Sequence, residues 1–230
     1  MISVPDYNLL VDTGDSISRA LLSQQIHCNS IDGIVITHLH PDHFSGFAEL
    51  IVQMKMNTRR EPLQIYVHQT LVSKLKDFLA FSYIFIERMD FPFSFVTFDF
   101  NTELQISSGL SFIARKNTHL DEYEKYDPTL SYACASFMFR SDNINTYYSG
   151  DIGSEEDLYL FKDHKSDLFI TETAHISLNA VFAAADNLKP AKIILTHINE
   201  DDTSGIKINL EKSGRKNIIL AEDGLLISAE

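Results

Sequence analysis

The stretch "ITHLHPDHFSG", residues Ile36–Gly46, places three histidines and one aspartate within six consecutive positions. These are His38, His40, Asp42 and His43, and the three histidines are a third of the 9 in the chain. Imidazole nitrogens and carboxylate oxygens are common ligands of divalent metal ions. A solvated polar loop would explain one or two such residues, but four potential ligands in so short a stretch predict a metal site.

The apolar residues ahead of this cluster predict a buried strand through "IDGIVITH". Side chains alternate along a strand, so His38 and His40 are expected to point to the same side. Pro41 is expected to end the strand, and the following turn is expected to bring Asp42 and His43 to a second position nearby. One short stretch therefore predicts ligands for two adjacent metal ions.

Three further candidate ligands follow predicted strands elsewhere in the chain. His119 comes after "LSFIARKN", Asp151 ends "NTYYSGD" and His197 ends "KIILTH". Active sites in layered α/β folds collect where strands give way to loops, which favours a shared site for these residues. For His119 the alternative is an exposed histidine in an acidic loop.

Composition restricts the partners and the location that we expect. The 230 residues include 19 basic and 32 acidic side chains, a formal net charge of -13, which disfavours extended nucleic acid. A small anionic substrate remains compatible, because bound cations can make one cleft positive. The sequence has no apolar run near the roughly 20 residues that cross a bilayer, no secretory signal pattern and only two cysteines. We expect a cytoplasmic protein without a membrane partner.

Strand and helix patterns alternate and predict one α+β domain over residues 1–230, with two sheets and outer helices. Among the helices, "FAELIVQMKM" and "LVSKLKDFLAFSYI" have clear helical spacing. The segments "FSFVTFDF", "ELQIS" and "LSFIARKN" predict antiparallel neighbours, and "NIILAEDGLLISA" predicts a closing hairpin. The aromatic residues Phe78, Phe81, Tyr83 and Phe85 predict core rather than a substrate pocket.

The motifs and their order resemble the metallo-β-lactamase superfamily of binuclear metallohydrolases along nearly the whole chain. The resemblance is carried by "LLVDTG" around Asp12, "THLHPDH", the isolated His119, "YSGD" and "LTH". It implies a four-layer αββα sandwich with the site at one edge. The glycine-rich first strand of the superfamily has no counterpart here. A missing first edge strand, or one supplied by another copy in a homo-oligomer, is therefore expected.

The resemblance also implies which residues hold two divalent metal ions. One ion would be held by His38, His40 and His119, the other by Asp42, His43 and His197, and Asp151 would bridge them. Asp12 would fix the loop that carries the ligands, or would cap the turn at Thr13 and Gly14. Zinc is the expected metal, and manganese or iron is chemically acceptable to nitrogen and oxygen donors.

The expected chemistry is hydrolysis, because two metals sharing an aspartate and a water lower the pKa of that water. Redox members of the superfamily commonly have glutamate where this chain has His40, which favours a hydrolase. The motif "TETAHIS" resembles that of the superfamily's phosphodiesterases, including transfer-RNA 3′-processing nucleases and cyclic phosphodiesterases. It implies that His175 contacts the scissile phosphate and assists proton transfer, that Glu172 orients it, and that Asp42 completes the catalytic set. Alternatively, His175 caps the helix that begins near Ser177.

The predicted function is therefore hydrolysis of a small phosphodiester such as a cyclic nucleotide. The alternative within the superfamily is a carboxylic ester, lactone or thioester hydrolase. An RNA 3′-processing nuclease is disfavoured by the net charge and by the lack of a basic, glycine-rich arm. A metal-binding protein without turnover is disfavoured by the complete set of candidate ligands. The acidic loop Leu120 to Leu130 predicts a lid, a dimer contact or a solvated insertion.

Overall fold

In the computed structural model, residues 1–141 and 144–228 are described, and they contain two β-sheets and six α-helices. The chain divides into two compact units. The first comprises Met1–Thr102 and Ser107–Gly109, and the second comprises Glu103–Ile106 and the described residues from Leu110 onward. No helix within the described ranges combines the length and the apolar character that crossing a bilayer requires.

The first unit contains a five-stranded sheet in the order β1-β2-β3-β4-β5. Only the β1–β2 pair is antiparallel. The strands are β1 (Ile2–Val4), β2 (Tyr7–Val11), β3 (Gly33–Val35), β4 (Leu63–His68) and β5 (Phe93–Phe98), and the helices are α1 (Ile17–Ser23), α2 (Pro41–Phe44), α3 (Phe47–Met56) and α4 (Val72–Phe81). Strands β3 and β4 are almost wholly buried, as their apolar sequences predict.

The second unit contains a seven-stranded sheet in the order β12-β11-β10-β9-β8-β7-β6. The pairs from β6 to β9 are antiparallel and those from β9 to β12 are parallel. The strands are β6 (Glu103–Gln105), β7 (Leu110–Lys116), β8 (Ala135–Ser141), β9 (Ile144–Tyr148), β10 (Leu168–Glu172), β11 (Lys192–Thr196) and β12 (Ile218–Leu220), and the helices are α5 (Leu178–Leu188) and α6 (Thr203–Ser213).

An aromatic cluster forms the centre of the second unit's core. The Tyr147 ring stacks on Phe169 with ring centroids 4.6 Å apart and meets the edge of Phe161 at 5.1 Å. Helix α5 adds Val181 and Ala184, both inaccessible to solvent. This core supports the parallel strands β9, β10 and β11, whose carboxyl ends lie at one edge of the sheet.

Two predicted strand arrangements are wrong. Strand β5 pairs parallel with β4 and belongs to the first sheet, so it is no antiparallel neighbour of β6. After β12, residues 225–228 form no strand, and β12 pairs in parallel with β11 instead of closing a hairpin. Leu226 is 90% exposed, so the apolar residues after the turn at Gly224 do not form a buried strand. The segments "SYACASFMFR" and "NTYYSGD" also predict a hairpin that turns at residues 141–143, of which 142 and 143 lie outside the described ranges.

The prediction that the aromatic residues around the end of α4 are core is also wrong for three of the four. Phe81 and Tyr83 are 86% and 84% exposed, and Phe85 is 43% exposed. Helix α4 buries Leu75 and Leu79, which are one turn apart, so Phe81 falls on another face. Phe78 differs, because its ring lies against that of Phe44 with centroids 5.0 Å apart.

The acidic loop from Leu120 to Leu130 contains a short 3-10 helix over Asp121–Lys125. Tyr126 is 74% exposed, and the Lys125 ammonium lies 4.9 Å from the centre of its ring. These contacts are local to the loop.

We predict that Arg59→Met destabilises the first unit. The Arg59 side chain is buried at 1% exposure and donates to the carbonyl oxygens of Glu61, Asn29 and Pro62. Methionine keeps most of the volume but leaves these acceptors without their donor, a loss of about 2–4 kcal/mol in the free energy of unfolding. Urea denaturation followed by circular dichroism measures it.

The matched control is Arg60→Met, because the neighbouring Arg60 is exposed and its guanidinium makes a long hydrogen bond, 3.3 Å, to the Asp90 carbonyl oxygen. It should change the free energy of unfolding by less than about 0.5 kcal/mol. Equal effects of the two substitutions would contradict the importance assigned to the buried guanidinium.

Candidate metal centre

The histidine-rich stretch lies in the first unit, but the strand before it is shorter than predicted. Strand β3 ends at Val35, and residues 36–40 run as a loop into helix α2, where Pro41 is the first helical residue. The Ile36 amide still donates to the Tyr66 carbonyl oxygen at 3.0 Å, whereas the Thr37 amide donates to Asp12 Oδ1 at 2.8 Å. The strand ends because a carboxylate replaces the neighbouring strand as acceptor.

Asp12 is the centre of the hydrogen bonds that hold this loop. Its Oδ2 accepts from the Thr37 hydroxyl at 2.9 Å and from His43 Nδ1 at 2.8 Å. Its backbone has a positive φ of 61°, an unusual conformation that recurs at functional sites. Asp12 therefore fixes the loop that carries the candidate ligands, which is the first of the two roles expected for it.

These bonds determine which nitrogen of two histidines carries a proton. A carboxylate accepts only, so His43 Nδ1 is the protonated atom. The Thr37 hydroxyl gives its proton to Asp12, so it accepts from His38 Nδ1, which lies 3.0 Å away. In both rings Nε2 is then the atom with the lone pair that a metal ion requires.

The four candidate ligands of the first unit lie close together. The His38 ring centroid is 4.8 Å from that of His40 and 4.2 Å from that of His43. Asp42 Oδ2 lies 3.4 Å from His43 Nε2. His38 is fully buried while the Asp42 side chain is 52% exposed, so the cluster runs from the interior to the surface.

The three candidate ligands of the second unit follow β7, β9 and β11. His119 Nε2 lies 3.8 Å from Asp151 Oδ2, and His197 Nδ1 lies 3.6 Å from Asp151 Oδ1. Asp151 is 2% exposed, and His197 has a positive φ of 46°. The structure thus brings Asp151 between the two histidines.

Asn117 supports this arrangement and was not predicted from the sequence. It is buried, its Nδ2 donates to the Asp151 carbonyl oxygen at 3.0 Å, and its Oδ1 accepts from the His119 amide at 3.2 Å. Its signal in the sequence is a polar residue at a strand end, two positions before a candidate ligand. That signal alone does not distinguish it from a turn residue.

His175 and Glu172 form a pair beside these ligands. Glu172 is 1% exposed, and its carboxylate accepts from His175 Nδ1 at 2.8 Å, from the His175 amide at 2.8 Å and from the Ile152 amide at 2.9 Å. The ring of His175 lies 4.8 Å from that of His119 and 5.6 Å from that of His197.

His175 does not cap the helix that follows. Helix α5 is capped by Ser177, whose hydroxyl accepts from the Ala180 amide at 3.1 Å. The His175 side chain is 39% exposed and stays accessible to a ligand. The capping alternative for His175 is therefore excluded.

The donor chemistry of these side chains fits divalent metal ions. The candidate ligands are imidazoles and carboxylates, and His119, Asp151 and His175 each offer an atom within 4.8 Å of the others. The hydrogen bonds of His38 and His43 leave Nε2 as the ligand atom, which is the usual arrangement of metal-binding histidines. Zinc, manganese and iron all accept such donors.

Comparison with known proteins connects most of the chain to one family. The family model described as anti-Pycsar protein Apyc1 matches residues 1–220. The Apyc1 of Bacillus phage BSP38 is 41% identical over 69 residues, which cover 30% of this chain and 27% of that protein. The Apyc1 of Paenibacillus harenae is 25% identical over 155 residues, which cover 66% of this chain and 59% of that protein. The matched region is thus less than two thirds of either relative.

Solved structures show the fold. The metallo-β-lactamase fold protein YhfI from Bacillus subtilis superposes with a TM-score of 0.75 at 16% identity, covering 97% of this chain and 87% of its own. The short form of human tRNase Z superposes with a TM-score of 0.73 at 17% identity, covering 99% of this chain and 90% of its own. A diphosphatase from the PhnP family superposes with a TM-score of 0.69 at 20% identity, covering 99% of this chain and 82% of its own. The predicted metallo-β-lactamase fold is confirmed.

Gly14→Ala should disrupt the loop that carries the first unit's candidate ligands. A Cβ at this position would lie 1.9 Å from the Asp42 carbonyl oxygen, so the backbone at Asp42 must move. We expect zinc affinity to fall about 10–100-fold, as for other residues that orient ligands. Competition with a chromophoric chelator measures it.

Gly205→Ala is the control for this substitution. Gly205 lies in α6, and a Cβ there would meet no atom within 4 Å. Alanine should leave zinc affinity unchanged and stabilise the helix by about 0.5–1 kcal/mol. Unchanged zinc affinity in Gly14→Ala would show that the loop tolerates the displacement.

Proposed function

Because the chain belongs to the family of the anti-Pycsar protein Apyc1 and has the metallo-β-lactamase fold, we propose that it is a metal-dependent phosphodiesterase acting on a small substrate such as a cyclic nucleotide. A hydrolase of this fold agrees with the names of two similar proteins. Ribonuclease Z of Limosilactobacillus reuteri and the PhnP-family diphosphatase are both named for cleaving bonds to phosphorus.

The observation that carries the choice of a phosphodiester is the His175–Glu172 pair. A phosphodiester carries negative charge and has a leaving oxygen that needs a proton. The Glu172 carboxylate holds Nδ1–H of His175 at 2.8 Å, so Nε2 is the atom that can approach a substrate. Positioned beside His119 and His197, this imidazole is suited to bind a phosphoryl oxygen and to protonate the leaving group.

We further propose that the candidate ligands of both units serve two metal ions. His38, His40 and His119 would bind one, Asp42, His43 and His197 the other, and Asp151 both. Two divalent cations in such a site polarise a phosphoryl oxygen and lower the pKa of a water. The protein's own contribution is to orient the imidazoles through Asp12 and Thr37 and to hold a proton at His175.

A small substrate agrees with the charge of the chain. The formal net charge of -13 opposes the long phosphate backbone of a nucleic acid, whereas one phosphodiester group meets only the imidazole-rich site. This distinguishes the proposal from RNA processing, even though ribonuclease Z is among the relatives.

Metal removal should abolish phosphodiester hydrolysis. We expect protein dialysed against EDTA to lose activity on bis(p-nitrophenyl) phosphate and on a panel of cyclic nucleotides, and to regain it with zinc or manganese. Metal analysis should find two ions per chain in the active protein. Full activity in protein shown to be metal-free would contradict the metal-dependent mechanism.

His175→Ala should lower kcat on phosphodiesters by about 10²–10⁴-fold, because it removes the proposed general acid. Bound metal should stay unchanged, since the proposed ligand set does not include His175. His27→Ala replaces an exposed histidine of the other unit and is the control. If the metal-loaded protein instead cleaves lactones or thioesters and His175→Ala barely changes turnover, the substrate is a carbonyl ester.

A further inference from the structure

Asp157 joins the two loops of the second unit that carry His119 and Asp151. Its Oδ2 accepts from the Thr118 amide at 3.1 Å and from the Thr118 hydroxyl at 2.7 Å. The same oxygen accepts from the amides of Gly153 at 3.1 Å and Ser154 at 3.3 Å. Thr118 directly precedes His119, and Gly153 follows Asp151 by two positions. One buried carboxylate, 3% exposed, thus holds both loops.

Helix capping explains only part of this arrangement. Asp157 is the third residue of the 3-10 helix Glu155–Tyr159, and its bond to the Ser154 amide belongs to a capping box. A cap does not require the two bonds to Thr118, which lies 39 residues earlier in the chain. These bonds add a second function to a residue that the helix already uses.

The surrounding contacts keep the carboxylate in place. The Tyr147 hydroxyl donates to the Asp157 carbonyl oxygen. Burial, followed by the charge of Asp157, raises the pKa of Tyr147, so that hydroxyl keeps its proton. At Gly153 a Cβ would lie 2.5 Å from the Thr118 carbonyl oxygen, so the two loops touch through their backbones.

We propose that Asp157 is a positioning residue that fixes the distance between the metal ligands His119 and Asp151. The proposal rests on the ligand roles given under the proposed function. Two ligand atoms on one tetrahedral ion lie about 3.4 Å apart when each is about 2.1 Å from the metal. His119 Nε2 and Asp151 Oδ2 are already 3.8 Å apart, so the loops need to move little to bind an ion.

Asp157→Ala should weaken zinc binding by about 10–100-fold, the range found for residues that orient ligands. Zinc affinity is measured by chelator competition, and the visible spectrum of the cobalt-substituted protein reports ligand geometry independently of activity. Both are recorded well below the unfolding temperature of the variant, because a purely structural role would lower that temperature without changing affinity or spectrum. Hydrogen exchange of metal-free protein should be faster at Thr118, Gly153 and Ser154.

Thr118→Val and Thr118→Ser make the test independent of whether Asp157→Ala folds. Valine has the shape of threonine but lacks the hydroxyl donor, so it should weaken zinc binding severalfold, whereas serine keeps the donor and the affinity. Asp167→Asn is the matched control. Asp167 also accepts a backbone amide, that of Asn145 at 3.0 Å, but at the opposite ends of β9 and β10.

The outcomes separate this proposal from the proposed function. Wild-type zinc affinity and cobalt spectrum in Thr118→Val, and in Asp157→Ala if it folds, would overturn the role of Asp157. A wild-type protein that binds no zinc would overturn the metal site itself. In that case accelerated exchange at Thr118 and Gly153 in Asp157→Ala would still confirm that the carboxylate holds the loops.

Discussion

The buried carboxylate of Asp12 is the constraint on which the histidine-rich loop depends. A carboxylate 9% exposed is costly to bury unless donors surround it, and here the Thr37 amide, the Thr37 hydroxyl and His43 supply them. The same donors end β3 and orient two imidazole rings. The need to satisfy one carboxylate therefore determines the path of the loop, the protonated nitrogens and the direction of the candidate ligands.

In the second unit, the candidate ligands are brought together at the edge of a sheet. Strands β9, β10 and β11 are parallel, so the residues that follow them meet at one edge. Glu172 ends the middle strand and accepts from the Ile152 amide and from His175. It thereby connects the loop after Asp151 with the candidate proton donor, and a substitution at Glu172 affects both.

The sequence predicted the helices better than the strand partners. Helix α3 was predicted as observed, because its apolar residues recur at helical spacing over ten positions. The predicted antiparallel pairing of β5 was wrong, because a run such as "FSFVTF" does not indicate which strand lies beside it. The exposed Phe81 shows the same limit: composition favours burial, whereas burial depends on which face of α4 packs against the rest of the unit. Asp157 and Asn117 were missed because their role exists only through contacts distant in sequence.

The hydrogen bonds around the candidate ligands bear on how the site works. Each unit orients its candidate ligands through side chains of the folded chain, Asp12 in the first unit and Asn117 in the second. Such preorganisation reduces the rearrangement that binding has to drive. Exposure differs among these groups: the Asp42 side chain is 52% exposed, whereas His175, 39% exposed, is held at Nδ1 by the buried Glu172 carboxylate. For the proposed phosphodiesterase, an imidazole held in this way would meet a small substrate already oriented for proton transfer.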